Sequence, residues 1–348
     1  MPVIAPTLGL LLILGGCGSS EPPAAEPPST DQVPATRESG PQGIGVTTPA
    51  DTPAAPARGF LLGTLPVPAD GQTFEEAYRQ ASRYAGFAPV WGRPTPPFEL
   101  ADDLGGDWGE VVEEYIRGNG MIPLVQMSFI GAGLSLAAPP GMAGATLSDP
   151  DWREAYRRAA LDVVRASRPL YISIGNEVNR WYEKYGSAED SPNGFQHFVS
   201  LYEEIYEAIK AISPETRVFC IFSREIVSEN REAALEVLSL FDPAKLDLLV
   251  FTSYPYAVRG INRPSDIPDD YYAGALAYLP GRPLGFSELG WPSLDAFGGE
   301  QGQADLLAAV AGRLTAGQGI DLELLGWAWL HDLDENDRIE STCGPQVG

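Results

Sequence analysis

Glu177 and Glu288 are the residues of this sequence best suited to carry chemistry. Each closes an apolar run, Leu170-Tyr171-Ile172-Ser173-Ile174-Gly175-Asn176-Glu177 and Pro283-Leu284-Gly285-Phe286-Ser287-Glu288. An apolar run that stops at an acid reads as a strand whose carboxylate stands at the mouth of a sheet. In a parallel barrel, that mouth is where active sites form. Two carboxyl groups across a cleft are the machinery of glycosidic bond hydrolysis. That chemistry requires one acid held protonated and the other ionised, so their surroundings must push their pKa values apart.

The elements that would position such a pair can be read along the chain. Eight apolar runs have the length of strands: residues 60–67, 88–92, 121–129, 170–177, 217–222, 246–254, 282–288 and 323–330. Amphipathic stretches alternate with them. Thr73 with Glu76, and Asp107 with Glu110, have the spacing of a capping box. Asp149-Pro150 opens a third helix, with proline at a tolerated first position. Phe195, Phe198, Val199, Tyr202, Ile205, Tyr206 and Ile209 share one face of a fourth, which stops at Ser213-Pro214. This alternation predicts a parallel sheet covered by helices, and eight units fit one (β/α)8 barrel over residues 59–348. A doubly wound open sheet is the alternative, disfavoured because no Gly-rich phosphate fingerprint follows the first strand.

The N-terminal region reads differently. Residues 8–16 are apolar but too short for a mature membrane span, which needs about 20 residues. They read as a signal-peptide core ending at Cys17. The small residues before Cys17 resemble a bacterial lipoprotein signal, although residues 1–7 lack Lys and Arg. Residues 1–17 are therefore expected to direct lipidation of Cys17 and an extracytoplasmic, membrane-anchored location. Residues 18–58 contain nine prolines and no apolar periodicity, and read as a disordered tether.

Net charge −24 and a pI near 4.3 exclude a nucleic-acid partner, since phosphate binding needs a basic face. Such a surface also disfavours acidic polymers, leaving neutral ones. His197 and His331 form no zinc-type spacing, and there is no Gly-x-Ser-x-Gly elbow. No metal or organic cofactor is implied, and a monomer is expected. In an oxidising compartment Cys220 and Cys343 could pair, or Cys220 could be a buried core thiol.

Three segments together resemble a known family. Tyr171-Ile172-Ser173-Ile174-Gly175-Asn176-Glu177-Val178 resembles the acid/base motif of the clan A glycoside hydrolases. Phe286-Ser287-Glu288-Leu289-Gly290-Trp291-Pro292-Ser293 resembles the nucleophile motif of the β-1,3-glucanases of glycoside hydrolase family 17. Val250-Phe251-Thr252-Ser253-Tyr254-Pro255-Tyr256 resembles that family's sixth strand, with Thr252-Ser253 where the family has Asn-Ile. Asp334-Glu335-Asn336 resembles the end of its eighth strand more weakly, and the first three strands carry no motif of the family.

The resemblance implies Glu177 as acid/base, Glu288 as nucleophile, Asn176 on the sugar 2-hydroxyl and Tyr254 on Glu288. Arg93 is a candidate for holding Glu288 ionised. Trp291 and Trp327 are candidate sugar platforms, because flat aromatic faces suit sugar rings. The expected activity is retaining hydrolysis of a β-linked polysaccharide or oligosaccharide, β-1,3-glucan first. A transglycosidase, a β-1,4-galactanase and a non-catalytic glycan-binding surface lipoprotein are the alternatives.

Overall fold

The computed structural model describes residues 46–52, 56–91, 97–314 and 320–331. Cys17, Arg93, Cys343 and Asp334-Glu335-Asn336 lie outside the described residues. All eight predicted strands form. They are β1 (Leu61–Leu65), β2 (Phe87–Trp91), β3 (Ile122–Gln126) and β4 (Tyr171–Ser173), then β5 in two segments (Arg217–Phe219 and Ile221–Ser223), β6 (Leu249–Ser253), β7 (Leu284–Leu289) and β8 (Leu322–Trp329). Every neighbouring pair is parallel, and β8 pairs with β1. The first segment of β5 pairs with β4 and the second with β6. The ring therefore closes through β5, on either side of a fully buried free thiol, Cys220.

Alternation along the strands fills the ring. Leu61, Phe87, Ile122, Leu124, Phe219, Ile221, Leu248, Val250 and Leu324 belong to the inner cluster. Gly63 is required there: a Cβ on it would come within 2.3 Å of the Phe87 ring. A larger cluster lies between strands and helices and includes Phe195, Phe198, Val199, Tyr202, Ile205 and Ile209 of one helical face.

The outer layer comprises α1 (Phe74–Ala81), α2 (Leu100–Gly105), α3 (Asp107–Glu110, continued by a π-helical turn Val111–Ile116), α4 (Pro150–Ser167), α5 (Asn179–Tyr185), α6 (Phe195–Ile212) and α7 (Gly299–Arg313). The Thr73/Glu76 capping box forms, and Asp149 accepts hydrogen bonds from the backbone of Asp151 and Trp152. The capping box expected at Asp107 does not. Because α2 ends at Gly105, only Gly106 is left to turn the chain, and Asp107 enters α3 as its first helical residue. After β5 and β6 the described residues form 3-10 turns in place of helices: Glu236–Leu240, Pro243–Lys245, Pro264–Asp266 and Ala273–Ala277.

Part of the expected tether is bound to the barrel. The Thr47 N–H donates to the Ile212 carbonyl, and the Ala50 N–H donates to the Arg168 carbonyl at 2.9 Å. Asp51 pairs with Arg117 at 2.8 Å, both side chains about 10% exposed. Arg117, Arg168 and Ile212 all precede strands, so this strap lies on the base of the barrel, opposite the mouth. Among the described residues no helix is long and apolar enough to cross a membrane.

Candidate active site

β4 ends at Ser173, four residues before Glu177, rather than at the acid itself. The chain nevertheless stays beside β5. The Ile174 N–H donates to the Phe219 carbonyl, Ile221 donates to Gly175, and Val178 donates to Ile221. Asn176 and Glu177 are carried on this irregular edge. Glu177 takes a left-handed backbone, φ 49°. Such a conformation costs a non-glycine residue about 1–3 kcal/mol and concentrates at functional sites. One Glu177 carboxylate oxygen accepts the Thr252 hydroxyl at 2.8 Å, with Ser223 Oγ at 3.5 Å. The other accepts Arg180 Nη1 at 2.7 Å.

Glu288 lies within β7, where the strand carries an extra residue. Phe251 of β6 is opposite Phe286, but Thr252 is opposite Glu288, so Ser287 is the inserted residue of a bulge. Bulges re-aim the side chain that follows them. Thr252 is thereby the cross-strand neighbour of Glu288 and the hydrogen-bond donor to Glu177. One residue of β6 joins both carboxyl groups at one mouth.

Glu288 is 6% exposed, and its Oε2 accepts the Tyr254 hydroxyl at 2.5 Å. Burial pushes its pKa up to about 7; the Tyr254 hydrogen bond opposes this and the charge of Glu177 adds to it. Without substrate, burial thus favours the proton on the residue that the family resemblance makes the nucleophile. The electrostatic bias is the reverse of the one that role needs, and Tyr254 is the donor that works against it.

Among the described residues, four buried polar atoms at this end of the barrel have no hydrogen-bond partner: Thr64 Oγ1, Gln126 Nε2, Asn176 Oδ1 and His331 Nε2. Gln126 ends β3 and shares the alternation of Ile122 and Leu124, which point into the inner cluster. Each such atom costs about 1–3 kcal/mol when left unpaired, which a ligand with hydroxyl groups would recover. Asn176 was expected at the site. Gln126, Thr252 and Arg180 were not; Gln126 lies inside the apolar run 121–129, where a polar residue draws no notice.

The tryptophans are placed differently from expectation. Trp291 is 3% exposed, donates to the Phe297 carbonyl at 2.9 Å, and meets Tyr256 and Phe297 edge to face. Its position just after β7 predicts a platform, but Tyr256 and Phe297 close around the indole and bury it. Trp327 is half-buried, in register with Thr64 and Leu289, and packs on the outer cluster. Trp108 and Trp152 are core residues.

A closed parallel barrel with a carboxyl pair at the C-terminal ends of its strands defines the (β/α)8 class in which glycosidases are common. No family model and no curated protein matches the chain. Solved structures do. A GH5_18 protein from Streptomyces cattleya in complex with GlcNAc is 14% identical, with a TM-score of 0.56 over 80% of this chain and 72% of that one. The β-glycosidase BGL167 is 15% identical, with a TM-score of 0.52 over 80% and 87%. A β-glycosidase from Pyrococcus horikoshii is 11% identical, with a TM-score of 0.50 over 72% and 73%. At these identities the likeness establishes the shared barrel fold.

Proposed function

We propose that this chain is a retaining β-glycosidase acting on a neutral β-linked glycan, with β-1,3-glucan as the first substrate to try. The observation that carries the reading is the joint at Thr252, which binds Glu177 and flanks Glu288. In this reading Glu288 attacks the anomeric carbon while Glu177 protonates the departing oxygen. Glu177 then takes a proton from water as that water displaces Glu288. Tyr254 stabilises the ionised Glu288. Asn176 Oδ1 accepts a sugar hydroxyl and Gln126 Nε2 donates to one, which pairs atoms that otherwise lack partners. The glycosidase structures that share the fold support the class, and the motif around Glu288 supports the β-1,3 linkage. The segment ending at Cys17 supports secretion and a lipid anchor.

The test is reducing-sugar release from β-1,3-glucan and from β-1,4-galactan, with Glu288→Ala alongside. Hydrolysis that falls by about 10³-fold or more in Glu288→Ala is expected. Release that survives the substitution would overturn the assignment. Binding of either glycan without release, by a folded wild-type chain, would replace it with the non-catalytic reading.

A further inference from the structure

A third buried carboxylate lies beside the site and has no part in the mechanism above. Glu225, two residues beyond β5, is 2% exposed. Its Oε2 accepts the Tyr254 backbone N–H at 2.6 Å, and its Oε1 accepts the Ser253 and Tyr271 hydroxyls at 2.9 and 2.8 Å. Arg224 backs this cluster: its guanidinium stacks on the Tyr271 ring at 3.7 Å, donates to the Tyr271 carbonyl and pairs with Glu232 at 2.6 Å.

Tyr254 is where β6 leaves the barrel. The next residue is Pro255, which opens a 3-10 turn and has no N–H to donate. Glu225 thus captures the last backbone donor of the strand. At the other end of the same residue, the hydroxyl holds Glu288.

We infer that Glu225 is the positioning residue for the nucleophile: by fixing the Tyr254 backbone it sets the reach of the Tyr254 hydroxyl to Glu288. The inference rests on the function proposed above. Three donors held at 2.6–2.9 Å on one buried carboxyl group make the clamp stiff. Stiffness matters because a misplacement of about 1 Å in a catalytic site costs on the order of 10²-fold in rate. A hydrogen bond donated to a carboxylate favours its ionised form, so a Tyr254 that drifts away lets burial raise Glu288 further. The groups facing Glu288 are Tyr254 and Glu177, with Arg180 beyond; those facing Glu225 are Arg224, Tyr271 and Tyr272, with Tyr256 nearby.

The test compares Glu225→Ala, Glu225→Gln and Tyr271→Phe in the full chain. Two quantities are read: the Glu288 carboxyl titration by 13C NMR, its resonance assigned by loss in Glu288→Gln, and the pH dependence of kcat/KM. Glu225→Ala is expected to raise the Glu288 midpoint and the acid limb of kcat/KM by about one pH unit. It should lower kcat about tenfold or more with KM little changed. Glu225→Gln, whose amide oxygen still accepts the Tyr254 N–H, is expected to keep most of both. Tyr271→Phe, which removes one donor from Glu225, gives a smaller shift in the same direction and serves if Glu225→Ala does not fold. A Glu288 midpoint that stays at its wild-type value in folded Glu225→Ala and Tyr271→Phe overturns the inference. A wild-type chain that hydrolyses neither glycan overturns the proposed function, while the NMR titration still decides the positioning role.

Discussion

At the scale of single residues, the site stores free energy in its acids. Glu288 has a folded-state pKa of about 7 against an ordinary 4.5, because it is buried. Glu225 is raised to about 7 for the same reason. A carboxyl group raised on folding binds its proton more tightly in the native state. Its stabilising contribution is complete below the ordinary pKa and is lost as pH rises through about 7. The wild-type protein is therefore expected to melt at a lower temperature at pH 8 than at pH 5.5, as far as these two groups determine it. Glu288→Gln removes the ionisation and keeps the shape. Its Tm should exceed wild type at pH 8 by about 2–4 °C, roughly one kcal/mol's worth in a domain of this order. The gain should be smaller at pH 5.5 and vanish only below the ordinary pKa of 4.5, and a gain of equal size at pH 8 and pH 5.5 would show that ionisation is not its cause. Thermal unfolding at the two pH values decides this.

At the scale of elements, the site depends on irregularities in regular strands. The bulge in β7 aims Glu288, and Gly290 leaves room for the ring that holds it. A Cβ on Gly290 would lie 2.6 Å from the Tyr254 ring. That ring cannot retreat without drawing its hydroxyl from Glu288. Gly290→Ala is expected to reduce kcat/KM at least about tenfold, with a far-UV spectrum unchanged from wild type; unimpaired turnover would show that the ring tolerates the methyl. Irregularity also explains what the sequence revealed and what it concealed. Eight apolar runs were legible because alternation and burial leave a pattern in composition, and both glutamates were legible because each breaks such a run. The early end of β4 and the break in β5 at Cys220 leave no such mark, since residues 170–175 and 218–222 contain no charged residue and no proline. The roles of Thr252 and Glu225 depend on which residues face each other across strands, and register cannot be read from one strand alone. The burial of Trp291 depends on Tyr256, from the loop after β6, and on a turn that folds Phe297 back onto the indole, and neither contact shows in the residues around Trp291.

At the scale of the whole molecule, the base of the barrel is as well defined as its mouth. The strap over residues 46–52 is held by two backbone hydrogen bonds and the Asp51–Arg117 pair. Asp51→Ala removes both side-chain bonds between the strap and Arg117, which keeps Glu113 and the Ser167 carbonyl as partners, so the strap should be released. Limited proteolysis between residues 46 and 58 is expected to accelerate at least about tenfold, which needs only 1.4 kcal/mol of lost local stability. Hydrolytic activity should be unchanged, because the strap is remote from the mouth; cleavage at the wild-type rate would show that the backbone contacts suffice. The position of the strap also gives the molecule a direction. The lipid proposed at Cys17 would be tied to the barrel from below, through the strap. The mouth would then face outward, toward soluble or wall-borne polymer arriving from the surroundings, and away from glycans rooted in the membrane that holds the enzyme.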